Sequence, residues 1–298
     1  MLYVSTRNPA NTYTAHRAIY EVNPPEGGFY APFHLPQFSQ EELAAIRSGS
    51  CSEAVTQILN LFFGLRLNSY DVENVIGRAP FQLMEMPHKL VIAEGFRNSA
   101  ASYRFLIKGL YNLMTEGKSE GKLPAGWPYI GIQIALLFGV FTGVEDLSRT
   151  FDVAVATDDY AELTAVCYAR DMGLPIHLIV CTSVEDSKIW DLLNRGECAA
   201  NCDGYLENFL YYTFDSNGEN PVRIDEQQQE LLNEKFFAAV VSADRAASVI
   251  SSMYRTNGYV LSSDAALAYG GLQDYRSATG VSNDTLILAK VRPEPVKE

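Results

Sequence analysis

The sequence predicts an α/β fold: a mostly parallel sheet flanked by helices, behind an N-terminal, mainly helical region. Three observations carry this. The continuous apolar runs Phe151–Thr157 and Pro175–Cys181 bracket a helical pattern at Ala161–Met172 that Gly173 punctuates. Strands apolar on both faces, alternating with helices, belong to a sheet covered on both sides. A last apolar run at Thr285–Val291 offers another such strand, and residues 39–78 hold three successive helical patterns.

In chain order, residues 1–40 are short apolar pieces broken by Pro24-Pro25, Gly27-Gly28, Pro32 and Pro36. Ser39 with Glu42 three residues on is a capping box that opens a helix. Helical spacing recurs at Ser52–Phe63 and Tyr70–Arg78. Residues 115–128, TEGKSEGKLPAGWP, mix glycine, proline and charge and predict an exposed linker. A strongly apolar helix is predicted over Tyr129–Gly143, and further helices over Val184–Asn194, Tyr205–Tyr212, Asp225–Ala238 and Arg245–Thr256. The chain therefore divides into an N-terminal part (1–114), a linker (115–128) and an α/β domain (129–298).

The 298 residues carry 23 Lys+Arg against 36 Asp+Glu, a formal charge of −13. That balance argues against nucleic acid and anionic membrane as partners, because both attract basic faces. With 47% hydrophobic and 20% charged residues the composition is that of a globular protein. No stretch reaches the ~18 apolar residues of a membrane span. The start MLYVSTRNP lacks a basic head followed by an apolar segment, so a cytoplasmic location is expected. The five scattered cysteines are expected to be reduced.

Several motifs resemble one family. Tyr3-Val-Ser-Thr-Arg7, Glu26-Gly-Gly-Phe-Tyr-Ala-Pro32, Leu35-Pro36, Ala156-Thr-Asp-Asp-Tyr-Ala-Glu162 and Met172-Gly-Leu-Pro-Ile176 are similar to segments of threonine synthase. Asn208-Phe-Leu210 and the strand ending at Leu288 match more weakly. Threonine synthases are pyridoxal-phosphate enzymes of the tryptophan-synthase-β fold type (fold type II). The resemblance runs along nearly the whole chain and implies that fold and cofactor.

Four departures from the family pattern oppose its chemistry. The family's Schiff-base lysine falls on Arg97, or on Ala101 in the other alignment of Ala93–Ser102. An arginine keeps its proton and alanine has no amine, so neither can form the bond; nearby Lys89 and Lys108 are the substitutes to consider. The family's glycine-rich phosphate loop is replaced by Thr157, Asp158, Asp159, Tyr160 and Ala161. A carboxylate ~4 Å from a phosphate charge costs about 4 kcal/mol at an effective dielectric near 20, and Asp159 with Glu162 reads as a capping box instead. Only residues 99–132 lie where the family carries a small domain, room for one helix and the linker. Finally, Ser263-Asp264-Ala265-Ala266 and Lys290-Val291-Arg292-Pro293 stand for two further motifs that the resemblance places near the cofactor.

Other constellations are weak. Asp158, Asp159 and Glu162 are candidate ligands for a divalent cation at a strand end, with helix capping the competing role. Cys198 and Cys202 have no second ligand pair. His177, within an apolar strand, reads as a hydrogen-bonded core residue. The aromatic run Tyr205, Phe209, Tyr211, Tyr212 and Phe214 reads as core, or as a surface bared by the missing domain. The expectation is a threonine-synthase-like protein without catalytic residues, cofactor or metal. It would bind a small metabolite around Thr157–Tyr160, or a protein partner, with a homodimer as one form. The alternative is an active pyridoxal-phosphate enzyme, completed by a second subunit.

Overall fold

A computed structural model of the chain describes residues 1–96, 103–144, 149–157, 160–185, 187–200, 202, 204–217 and 219–293. The N-terminal module opens with β1 (Leu2–Ser5), β2 (Thr12–Thr14), α1 (Ala15–Tyr20) and β3 (Tyr30–Pro32), the strands forming an antiparallel sheet in the order β2-β1-β3. Helices α2 (Gln40–Ser48), α3 (Cys51–Phe63) and α4 (Ser69–Ile76) follow. Both α2 and α3 start at complete capping boxes, Ser39 with Glu42 and Ser50 with Glu53.

Next come β4 (Gln82–Met86), β5 (Leu90–Glu94), α5 (Tyr103–Met114), α6 (Trp127–Phe141), β6 (Phe151–Ala156), α7 (Tyr160–Asp171) and β7 (Ile176–Ser183). The remainder is α8 (Lys188–Arg195), β8 (Glu197–Cys198), α9 (Gly204–Phe214), β9 (Val222–Arg223), α10 (Glu226–Asn233), β10 (Phe236–Val240), α11 (Ala243–Asn257), α12 (Ser263–Thr279) and β11 (Thr285–Ala289).

The main sheet has the order β10-β7-β6-β11-β5-β4, and every pairing is parallel except β4 with β5. Its strands are apolar on both faces because both are covered. Val153, Val155 and Ile179 belong to one core, shared with α3, α6 and α7; Ala154, Ala156 and Val180 belong to a second core beneath α11 and α12. Helix α6 is buried almost all round, so it has no polar face to turn to water. Its glycines let α3 approach: a Cβ on Gly139 would lie 2.6 Å from the Cys51 sulfur, and one on Gly131 2.7 Å from the Phe63 ring. No helix among the described residues is long and apolar enough to cross a membrane.

The structure departs from the sequence reading at several elements. Residues 82–94, inside the segment read as the N-terminal part, supply two strands to the main sheet. The helix predicted over Asp225–Ala238 ends at Asn233, and Phe236–Val240 pairs with β7 instead. Five apolar residues suit a buried strand as well as a helix, and only the free edge of β7 decides between them. Helix α12 was hidden by Gly270 and Gly271, which disfavour helix locally but permit close packing; a Cβ on Gly271 would lie 1.9 Å from the Thr182 hydroxyl. Within the predicted linker, Thr115 and Ser119 are buried and Trp127 is fully enclosed. His177 lies exposed at the start of β7 rather than in the core, its Nδ1 2.9 Å from the buried Asp152 carboxylate.

Candidate functional site

All five parallel strands end on one edge of the sheet, at Val240, Ser183, Ala156, Ala289 and Glu94. Open parallel sheets take ligands at this carboxyl edge, because the loops there diverge to helices on opposite faces. Charged side chains gather at it in an otherwise apolar interior.

Lys290 follows β11 directly and reaches over the first turn of α7, where its ammonium lies 2.6 Å from the Glu162 carboxylate. Both side chains are largely enclosed, 16% and 4% exposed, so the pair is little screened by water. The Lys290 backbone N–H donates to Asp264 at 3.1 Å, and Asp264 also accepts a short hydrogen bond from the Ser262 hydroxyl. One strand further along, the buried Glu94 accepts from the Tyr259 hydroxyl. Arg292 Nη2 donates to the Phe96 carbonyl at 3.4 Å, closing the β11 tail over the end of β5.

Beside Lys290 opens a cleft of about 320 Å³ lined by Tyr103, Arg104 and Ile107 of α5, Leu123, Tyr129 of α6, Lys290 and Val291. The Tyr129 ring packs on Tyr205 of α9 at 5.5 Å between centroids. Among the described lining residues are two cations, two phenol rings and three aliphatic side chains, one of the cations being the Lys290 that pairs with Glu162. Such a wall accepts a small anion: cationic N–H groups for its charge and ring faces for its body.

The sequence candidates distribute unevenly around this edge. Thr157 ends β6, its hydroxyl donating to the Thr182 carbonyl at 3.0 Å; Tyr160 and Ala161 open α7, with Ala161 fully buried. Glu162 is a partner of Lys290, which opposes its reading as a cation ligand. Arg97, Ala101, Asp158 and Asp159 lie outside the described residues. Lys89 stands at the opposite edge, before β5, donating to the Ser282 carbonyl at 3.1 Å; Lys108 lies on α5 and does not line the cleft. Among the described residues no three His, Cys, Asp or Glu side chains are grouped to hold a metal ion. The Cys198 and Cys202 sulfurs lie 3.8 Å apart, and the hydrogen bond between them raises the Cys198 pKa.

Sequence reasoning missed Glu94 as a site residue and read Lys290 only as part of a replaced motif. The signal was present: each is a lone charge at the carboxyl end of an apolar parallel strand. It also treated Asp264, Lys290 and Glu162 as separate motifs, whereas direct contacts bring all three together.

Comparison with known proteins agrees with this geometry. Residues 2–79 match the family model for the threonine synthase N terminus. The fold matches threonine synthase from Brucella melitensis with its pyridoxal phosphate bound (TM-score 0.81, 15% identity, 98% of this chain and 89% of that one). It also matches the yeast enzyme (TM-score 0.76, 15% identity, 98% and 87%) and the Escherichia coli enzyme (TM-score 0.73, 13% identity, 98% and 89%). In its N-terminal segment and in its fold the chain is similar to threonine synthase. It is 25% identical over 158 residues to human threonine synthase-like 1, and 25% identical over 146 residues to the Pongo abelii protein. The matches span 43% and 39% of this chain but only 21% and 19% of those proteins, so the chain spans about a fifth of the length of these curated relatives.

The threonine-synthase-like module explains two motifs of the sequence. Thr6 donates to the buried Glu207 carboxylate of α9 at 2.5 Å, and Arg7 lies 3.5 Å from the same group and 2.8 Å from Glu219. Gly28, at φ +73°, passes against Thr6 so closely that a Cβ there would sit 2.5 Å from its hydroxyl. The Ser-Thr-Arg and Gly-Gly motifs thus clasp the module to α9.

Proposed function

We propose that this threonine-synthase-like chain acts by binding: it holds a small anionic metabolite in the carboxyl-edge cleft and does not perform pyridoxal-phosphate chemistry. The observation that carries this reading is the Glu162–Lys290 ion pair. In a strand–helix unit of this type, the start of the helix attracts a phosphate through its free N–H groups and dipole. Here α7 carries a buried carboxylate in that first turn, which repels a second anion at close range.

The described residues do not fit pyridoxal phosphate. Lys290, an amine at the carboxyl edge, is engaged by the Glu162 carboxylate at 2.6 Å, whereas Schiff-base formation needs an amine free to attack. The cofactor, when bound by an enzyme, serves as an electron sink for carbanions; among the described residues at this edge, the lysine that follows β11, Lys290, is engaged by Glu162. The basic, aromatic cleft beside Lys290 suits a ligand that arrives and leaves intact. Arg104 would supply the charge that orients the anion, Lys290 being balanced by Glu162, while Tyr103 and Tyr129 would flank its body.

The second reading, an active pyridoxal-phosphate enzyme completed by another subunit, draws support from the fold match to the cofactor-bound Brucella enzyme. One experiment separates the two. The purified chain is incubated with pyridoxal phosphate, reduced with borohydride and mapped by mass. Scattered surface labelling and a colourless protein are expected; a single adduct at Lys290 with a visible absorption band would establish the second reading. In parallel, calorimetric titration with succinate and inorganic phosphate is expected to show saturable binding that Arg104→Ala weakens about tenfold. Equal affinity in the variant would remove the cleft from the proposal.

A further inference from the structure

We infer that the chain carries a second small-molecule site, at the opposite edge of the sheet, built for a monocarboxylate with an apolar body. It is a cavity of about 270 Å³ enclosed by the last turns of α7 and α9, by α10 and by the start of β10. Because α7 returns antiparallel to the strands, its C-terminus lies at their amino ends, across the sheet from the Lys290 cleft.

The polar wall of the cavity has an unmet need. Arg170 is nearly enclosed, with 11% of its side chain exposed. Its Nε lies 3.2 Å from the Asp171 carboxylate, and its guanidinium carbon stands 5.1 Å above the Phe236 ring, which fixes the fork in place. Its Nη1 is buried and meets no hydrogen-bond acceptor. The Thr213 hydroxyl, from another lining residue, is buried and unpartnered in the same way. A buried donor without an acceptor is costly, and more so when it is charged. Asp171 is the one acid among the described lining residues, and it is already engaged by Arg170 and by a short hydrogen bond from Tyr212.

Charge and shape then define the occupant. Arg170 and Lys235 against Asp171 leave a net charge of one positive unit on the wall, which a single carboxylate balances. One carboxylate supplies acceptors for Arg170 Nη1, the Thr213 hydroxyl and the Lys235 ammonium. The rest of the wall, with Phe214, Leu231, Leu232 and Phe236, is hydrocarbon and takes a branched or aromatic body. Phosphate brings too much charge and no apolar part to cover this wall.

The test uses the full chain and calorimetric titration with phenylacetate, with isovalerate as a second probe and 2-phenylethanol as the uncharged analogue. At least one carboxylate is expected to bind saturably at one site, with 2-phenylethanol at least about tenfold weaker. Lys235→Ala, an exposed position, and Thr213→Val are each expected to weaken the carboxylate about tenfold, whereas Arg104→Ala, in the other cleft, leaves it unchanged. The proposal is overturned if neither carboxylate binds saturably, if the alcohol binds as well as the acid, or if Lys235→Ala and Thr213→Val leave affinity intact. It is equally overturned if Arg104→Ala abolishes binding, since that assigns the probe to the carboxyl-edge cleft.

Discussion

The N-terminal module and the carboxyl edge of the main sheet are both tied in by buried polar contacts, of opposite kinds. The module is fastened mainly by neutral groups. Trp127 Nε1 donates to the Tyr3 hydroxyl at 2.8 Å, Tyr3 donates to the Phe62 carbonyl at 2.8 Å, and Asn208 donates to the Tyr30 carbonyl at 3.0 Å. The edge is fastened by charge: Lys290 with Glu162, Tyr259 with Glu94, and Asp264 with the Lys290 backbone. The module matches the family model over residues 2–79, while the edge carries its own set of charged contacts. Aromatic and neutral contacts cannot be altered one atom at a time without loss of packing, whereas charges can be exchanged as matched sets. This contrast explains how a scaffold can persist while the charges at its carboxyl edge are exchanged.

The strongest way to break the comparison is at its neutral end. Trp127 is fully buried and packs against Tyr3, Phe62 and Tyr168 at centroid distances of 5.4–5.6 Å. Trp127→Ala is expected to cost about 3–5 kcal/mol, read from urea unfolding. A loss under about 1 kcal/mol would mean that the module is not anchored there.

The charged end should respond differently to single and paired changes. Lys290→Met alone leaves Glu162 buried without its cation, an expected loss of about 3 kcal/mol. Adding Glu162→Leu should restore most of it, giving a large coupling in a double-mutant cycle. Additive losses would show that the two edges of the comparison follow the same rule.

The smallest effect sharpens the boundary between the regions, at Glu207, the one buried carboxylate inside the module's clasp. Burial raises its pKa above the ordinary 4.5, partly offset by Thr6 and Arg7. The native state therefore holds this proton to higher pH than the unfolded chain, and its contribution to stability declines as pH rises through that window. Glu207→Gln is expected to flatten this decline in thermal unfolding measured at steps from pH 4 to 7. An unchanged slope would assign the decline to other groups.

Much of the frame was legible because its signals are local. Ser39 caps its helix with the acid three residues on, and Phe151–Ser183 declares a strand–helix–strand unit by unbroken apolar runs around one helical period. The position of Thr157, Tyr160, Ala161 and Glu162 at a strand-to-helix boundary follows from the same pattern. What stayed hidden depends on distant partners. Phe236–Val240 becomes a strand because β7 offers an edge, and Gly271 serves a helix because Thr182 lies beneath it. Glu162 reads from the sequence as half of a capping box with Asp159, which lies outside the described residues; its partner Lys290 arrives from 128 residues away, and no spacing rule links them.

One feature of the sheet bears on how the protein is made. Residues 285–289 form the strand between β5 and β6, so the halves of the sheet have no shared border until that segment has left the ribosome. A nascent chain halted before it would display two open strand edges at once, and such edges recruit other chains. Emergence of residues 285–289 and closure of the central gap are therefore coupled events for this protein.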